Sequence, residues 1–276
     1  PTLRAVTSVA TTAGMIWFGF GNADFEAAGG GVARFDGATW QYFTHLQDVG
    51  VSNNVRVLVV APDGALWIGA GCGVARFDGT MWSTVATCDT LSGNVHTIAF
   101  APSGVVWIAT DFGLYSLTDG TFTAYPGRSS TVMAVGSDDA VWMGISPVVG
   151  GGLAHFDGTT WMTDTTTFPL TYVAALVVEA DGTMWAGGAP GIARFDGAEW
   201  MTYTEVDGIS LGGITALAFA PDGVLWAAIP SALFYFDGSA WKLAAVSGDA
   251  AINALAFTPD GALWLGTSKG VVRFQP

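Results

Sequence analysis

All twelve tryptophans of this chain sit at repeat positions, and that periodicity restricts its fold more than any other feature. Seven fall in a unit reading roughly apolar strand, then Pro-Asp-Gly-x-Leu-Trp-x-Gly, at Trp17, Trp67, Trp107, Trp142, Trp185, Trp226 and Trp264. The other five close a second signature, Phe-Asp-Gly-x-x-Trp, at Trp40, Trp82, Trp161, Trp200 and Trp241. None is left over for a sugar platform or an aromatic cage, so the repeat accounts for the aromatic richness.

Successive tryptophans of the first signature lie 50, 40, 35, 43, 41 and 38 residues apart. A period near forty with four short strands per unit is the mark of a β-propeller blade. In the second unit the pattern predicts strand A over Val55–Val60, a turn at Pro62-Asp63-Gly64, and strand B over Ala65–Gly69. Strand C follows over Gly73–Phe77, then an Asp78-Gly79 turn and strand D over Met81–Val85. Strands A and B are almost continuously apolar, as expected where blades pack face to face. A buried tryptophan removes roughly 150–250 Å² from water, worth about 4–6 kcal/mol at roughly 25 cal/mol per Å² before entropy is subtracted.

The chain therefore reads as all-β: one domain over residues 1–276, a seven-bladed β-propeller of four-stranded antiparallel blades. The last unit runs through A (Ile252 to Phe257), B (Ala262 to Gly266) and C (Val271 to Phe274), then reaches Gln275-Pro276 without an outer strand. Pro1 to Arg4 are too few to replace it. Either residues upstream of this sequence close the ring, or the edge of the seventh blade stays open, and an open edge invites strand addition from another chain.

Composition removes several function classes. The chain is 51% hydrophobic, yet no apolar run reaches the roughly 18–20 residues a spanning helix needs, and the most apolar stretch, Ile214 to Phe236, is broken at Pro221-Asp222-Gly223. Membrane insertion is not expected. A net charge of −14 repels phosphate backbones, so nucleic acid is not an expected partner either. Only two lysines, with many Thr, Ser and Gly, suggest an exported protein: extracellular, periplasmic or on the cell surface. The start at Pro1 reads as a processed or excerpted chain.

Twelve of the 23 acids stand in the repeated hairpin turns, mostly before glycine, Asp36, Asp63, Asp78, Asp157, Asp196 and Asp237 among them. Aspartate there bonds nearby backbone N–H groups and the glycine accepts positive φ, so these are turn residues and not catalytic carboxylates. The opposite face, made of B–C and D–A loops, varies and is where binding would evolve. Between Trp17 and Phe35 there are 18 residues against 10 from Trp67 to Phe77, the excess lying within Gly21 to Gly31. Asp24, Phe25 and Glu26 of this insertion, Pro147 of a second one, and the pair Glu205 and Asp207 are the candidate binding residues.

No metal site and no cofactor are expected. Calcium is the alternative, but the variable-face acids are spread over the blades and no Asp-x-Asp-x-Asp-Gly loop occurs. The three histidines, His45, His96 and His155, fall in different units, with His155 in the place held by Arg34, Arg76, Arg194 and Arg273 elsewhere. They make a poor catalytic constellation, and no nucleophile elbow, zinc helix or phosphate loop is present. Cys72 and Cys88 lie in loops of one face, and a disulfide between them would contribute about 3 kcal/mol on the chain-entropy model and imply an oxidising compartment.

The string Pro62-Asp63-Gly64-Ala65-Leu66-Trp67-Ile68-Gly69, followed by Gly73-Val74-Ala75-Arg76-Phe77-Asp78-Gly79, resembles the repeat of two-component regulator propellers. Those are the extracytoplasmic sensor blades found ahead of bacterial histidine kinases and in related secreted proteins. The resemblance recurs in all seven units. The chain is also similar, more weakly, to streptogramin-lyase-type propellers, which share a Gly-x-x-Trp strand. Such blades decorate proteins of many roles, so the resemblance implies the fold and leaves the role open.

The expectation is a non-catalytic exported propeller that serves protein interaction or self-assembly, with the open edge of the seventh blade as a contact. The alternatives are an extracytoplasmic ligand-sensing domain and a lyase-like propeller enzyme.

Overall fold

A computed structural model of the protein describes residues 5–12, 14–21, 30–145 and 151–275. Blade 1 comprises β1 (Val6–Thr12), β2 (Met15–Phe20), β3 (Gly31–Phe35) and β4 (Trp40–Phe43). Blade 2 comprises β5 (Val55–Val60), β6 (Leu66–Ala70), β7 (Val74–Phe77) and β8 (Trp82–Ala86). Blade 3 holds β9 (Val95–Phe100), β10 (Val106–Thr110), β11 (Gly113–Thr118) and β12 (Thr121–Pro126). Blade 4 holds β13 (Met133–Val135), β14 (Val141–Gly144), β15 (Leu153–Phe156) and β16 (Trp161–Asp164). Blade 5 is β17 (Tyr172–Val178), β18 (Met184–Ala189), β19 (Ile192–Phe195) and β20 (Trp200–Tyr203), followed by a small hairpin of β21 (Glu205–Val206) and β22 (Ile209–Ser210). Blade 6 is β23 (Ala216–Phe219), β24 (Leu225–Ile229), β25 (Ala232–Phe236) and β26 (Trp241–Val246). Blade 7 has three strands, β27 (Ile252–Phe257), β28 (Leu263–Thr267) and β29 (Gly270–Phe274).

Each blade is an antiparallel meander in chain order. The first strands of successive blades touch one another around the ring, and β27 returns to β1. Two side chains bind the closing pair: Asn253 Nδ2 donates to the Val6 carbonyl at 3.1 Å, and Thr11 Oγ1 donates to the Phe257 carbonyl at 2.7 Å. Among the described residues the ring closes by packing of blade 7 on blade 1, with no strand shared between them.

The repeat explains the packing. In five blades a glycine two residues past the second-strand tryptophan (Gly19, Gly69, Gly144, Gly187, Gly266) faces the start of the next blade. A Cβ at Gly69 would stand 2.5 Å from Val95 Cγ1, so glycine lets the inner strands converge. Blades 3 and 6 use Ala109 and Ala228 at this place, both fully buried. The second strands carry the tightest core, with every residue of β6, β10 and β24 buried. The first strands, apolar as read, are only partly covered: two of six residues are buried in each of β5, β9 and β27, because the innermost ring keeps one side toward the axis.

The tryptophans pack between blades. Trp82 of blade 2 meets Trp17 and Phe43 of blade 1 at 6.5 and 5.6 Å between ring centroids. Trp241 of blade 6 meets Trp185 of blade 5 edge-on at 5.8 Å. Such T-shaped pairs add to the area they bury. Seven clusters of this kind tile the ring.

Candidate functional site

The face bearing the A–B and C–D turns is spent on structure. In five C–D turns an aspartate Oδ1 accepts backbone N–H bonds from the second and third residues beyond it, as Asp36 does from Ala38 and Thr39, and Asp78 from Thr80 and Met81. Asp157, Asp196 and Asp237 repeat the geometry. The hydroxyl of Thr39 at Asp36, and the N–H groups of Met81 and Ala240 at Asp78 and Asp237, are the leading causes that hold these three carboxyls at about 2. Carboxylates so occupied are poor proton shuttles.

At the other end of the axis the register of the first strand jumps in five blades, leaving Thr7, Arg56, His96, Ala174 and Asn253 bulged out of the pairing. Two of these side chains staple one blade to the next: Thr7 Oγ1 donates to Val55 O at 2.8 Å, and Asn253 donates to Val6 O. His96 and Arg56 do something else. His96 Nε2 lies 2.5 Å from Asp111 Oδ1, and the other Asp111 oxygen accepts from Asn94 N at 2.9 Å and Asn94 Nδ2 at 2.6 Å. Burial pushes the Asp111 carboxyl up, but the bonds from His96 and Asn94 outweigh it and hold the group below its ordinary range. A cavity of about 210 Å³ adjoins this cluster, lined also by Ser130, Thr131, Ile145 and Tyr172. Half-buried Arg56 has an Nε with no hydrogen-bond partner. Sequence reading missed these bulged positions. The signal was a single polar residue second in an otherwise apolar strand, as in Val55-Arg56-Val57-Leu58 and Ile252-Asn253-Ala254-Leu255.

The third feature is the edge of blade 7. β29 pairs with β28 on one side and with nothing on the other among the described residues. Val272 is 45% exposed, whereas the matching Ala75 and Ala193 of β7 and β19 are 0% exposed under their fourth strands. Clefts flank this edge on both sides. One of about 710 Å³ lies against blade 6, lined by Trp226, Tyr235, Leu243, Phe257 and Phe274. The other, of about 440 Å³, lies against blade 1 beside Trp264, Phe35 and Arg273. Next to the second cleft Trp40 is 43% exposed, against 4% for Trp241 in the same place of blade 6.

The residues singled out from the sequence fall as follows. Asp24, Phe25, Glu26 and Pro147 lie outside the described residues. Glu205 and Asp207, read as loop, belong to the β21–β22 hairpin, whose turn is made by Asp207 and Gly208 at φ 50° and 78°. Positive φ at both positions is the two-residue turn an Asp-Gly pair favours. Glu205 is exposed beside buried Val206. Cys72 and Cys88 are joined in a disulfide. His45 is exposed and near Thr44 Oγ1, while His155 stacks on Trp142 at 4.0 Å, where Arg34 and Arg194 lie over Trp17 and Trp185 in their own blades. Desolvation lowers the His155 imidazole. No three His, Cys, Asp or Glu side chains among the described residues come together as a metal site.

No protein-family model and no curated protein matches the chain. Its fold recurs widely among solved structures. The extracellular domain of a putative hybrid two-component system, BT3049 of B. thetaiotaomicron, superposes with a TM-score of 0.79 at 16% identity. That match covers all of this chain and 39% of the other, so the propeller spans about two fifths of that protein. A streptogramin B lyase superposes at 0.76 with 15% identity, covering 99% of this chain and 93% of the lyase. YCF48 bound to the D1 peptide gives 0.75 at 16% identity, with the same coverages of 99% and 93%. Both resemblances read from the repeat are thus present among the structural neighbours. At these identities the likeness is one of fold. The chain is a seven-bladed propeller module, with a disulfide, and no helix among the described residues is long and apolar enough to cross a membrane.

Proposed function

We propose that the chain is a non-catalytic interaction module of an exported protein, and that it holds an extended segment of a partner polypeptide along the open edge of blade 7. One observation carries this reading: among the described residues β29 has no strand on its outer edge, and Val272 is exposed there, with a cleft against each neighbouring blade. Strand addition draws its affinity from main-chain hydrogen bonds and its specificity from pockets for alternate side chains. Both parts are present here. The Cys72–Cys88 disulfide and the extracellular domain among the neighbours support an exported setting. YCF48, a propeller of similar shape, binds a peptide.

Selection of displayed extended peptides on the wild-type chain and on Val272→Glu tests the reading. Peptides enriched on the wild type should lose binding to the variant, since a charge is placed at the centre of the strand-pairing surface. Peptides that bind both proteins alike would refute the edge as the site.

The cavity beside His96 and Asp111, with the unpartnered Arg56 Nε on the neighbouring first strand, favours a second reading, ligand sensing at this end of the propeller. Small molecules that raise the melting temperature of the wild type but not of Arg56→Ala would support it. A screen in which every hit stabilises both proteins equally would remove it.

A further inference from the structure

We infer that the cleft between blades 4 and 5 binds an alkylguanidinium, the chemistry of an arginine side chain, laid on the rings of Trp142, Phe195 and Trp200 and paired with Glu199. The repeat itself shows what this place accepts. Four of the seven blades set an arginine across from the second-strand tryptophan: Arg34 with Trp17, Arg76 with Trp67, Arg194 with Trp185 and Arg273 with Trp264. Arg34 Cζ stands 5.7 Å from the Trp17 ring centre and 5.9 Å from those of Phe43 and Phe77, the last on blade 2. Arg194 Cζ lies 5.6 Å over Trp185. Blade 3 has Ser116 at this position, and there Arg128, from the segment after β12, brings its guanidinium to 4.9 Å over Trp161 of blade 4.

Blade 4 breaks the pattern. His155 takes the arginine position, pairs with Trp142 and stacks on it at 4.0 Å. Burial pushes its imidazole down against the pull of Asp138 and Asp157, so it carries no charge at neutral pH. Trp142 and Phe195 stand 6.5 Å apart between centroids. The matching pairs beside Arg34 and Arg194 are closer, Trp17 and Phe77 at 5.4 Å and Trp185 and Phe236 at 4.9 Å. The resulting cleft has a volume of about 620 Å³. Trp142 is half-buried beside it, whereas Trp17, Trp67, Trp107, Trp185 and Trp226 are each 8% exposed or less.

The lining fixes the sign and the shape of the ligand. Its ionised groups are Asp164 and Glu199, with no lysine or arginine among the residues around the cleft. Burial pushes the Asp164 carboxyl up, but the bonds from Thr167 and Thr166 outweigh it and keep the group charged, at the place where blade 1 has Phe43. The Glu199 side chain is exposed and makes no hydrogen bond or ion pair among the described residues. Aromatic faces attract a cation, and a planar one lies flat on them while its N–H groups reach a carboxylate at the edge. An ammonium ion has the charge without the plane and holds its water more tightly. Met162, 52% exposed beside the cleft, gives the aliphatic stem an apolar contact.

The probes are acetyl-glycyl-arginyl-glycinamide and its lysine and citrulline versions, citrulline keeping the planar head without the charge. Binding is followed in proton–nitrogen correlation spectra of the 276-residue chain. The arginine peptide should shift the indole resonances of Trp142 and Trp200 saturably, with the citrulline peptide about tenfold weaker and the lysine peptide about threefold weaker. Glu199→Gln, at an exposed position, should weaken the arginine peptide about two- to fivefold. His155→Arg restores the residue of four other blades and should weaken it about tenfold or more, with no loss of melting temperature. Should that variant fail to fold, Glu199→Gln decides. n-Propylguanidinium that matches the arginine peptide would make a free ligand sufficient, and a much tighter peptide would put the guanidinium on a polypeptide; both uphold the site. Equal binding of the arginine and citrulline peptides, blocked by His155→Arg, would overturn the guanidinium and leave a neutral ligand in the cleft. Binding indifferent to both substitutions, or shifts that spread over the surface without saturating, would overturn the cleft as the site and leave only attraction by a net charge of −14.

Discussion

Two tryptophans at repeat positions do unequal work for stability. Trp185 is 1% exposed, is packed by Phe236 and Trp241, and donates its Nε1 hydrogen to Glu179 Oε1 at 2.6 Å. Trp185→Ala should lower the unfolding free energy in urea by about 3–5 kcal/mol, the usual cost of a large aromatic removed from a core. Trp40→Ala should cost about 1 kcal/mol or less, because the ring is already 43% exposed beside the open edge. The turn aspartates set the acid limb. Asp36, Asp78 and Asp237 are held at about 2 against an ordinary value of 3.8. A depressed carboxyl contributes stability that is present above its unfolded pKa and is lost as pH falls through the folded one. Melting temperature should therefore stay flat from neutrality to about pH 4 and fall between about pH 4 and 2. In Asp36→Asn, Asp78→Asn, Asp237→Asn combined, that acid decline should be shallower, and an unchanged decline would deny these turns their role. The aspartates were legible in the sequence because a turn is local. Arg56 and His96 were not, because a bulge is a property of pairing with β6 and β10 and leaves no mark beyond one polar residue in an apolar run.

At the scale of the element, the small residue two places past each second-strand tryptophan, glycine in five blades and alanine in two, governs how closely blades approach. Gly69→Val should destabilise by about 1–3 kcal/mol through overpacking against Val95, which is fully buried and has nowhere to move. Equal stability in a urea melt would show that the blades slide apart without cost. The disulfide ties the B–C loop of blade 2 to the segment leaving it, and its removal by Cys72→Ala with Cys88→Ala should cost about 3 kcal/mol. The strands of blade 2 were legible to within one residue at each end, since each carries its own apolar run and its own turn. The β21–β22 hairpin was not, because two-residue strands show no periodicity and only Val206 and Leu211 are buried there to fix it.

For the whole molecule, the ring is complete at its centre and open at its rim. β1 and β27 close the inner circle through Asn253 and Thr11, while among the described residues the outer edge of β29 lacks the partner strand that each of the other blades has. The repeat count could be read from tryptophan spacing alone. Closure could not, since it depends on contacts between residues some 246 positions apart. Hydrogen exchange resolved to single amides tests the open rim most directly. Alternate amides of β29 should exchange far faster than those of β7 and β19, which lie between two strands. Protection of β29 equal to that of β7 and β19 in the chain alone would contradict an open seventh blade.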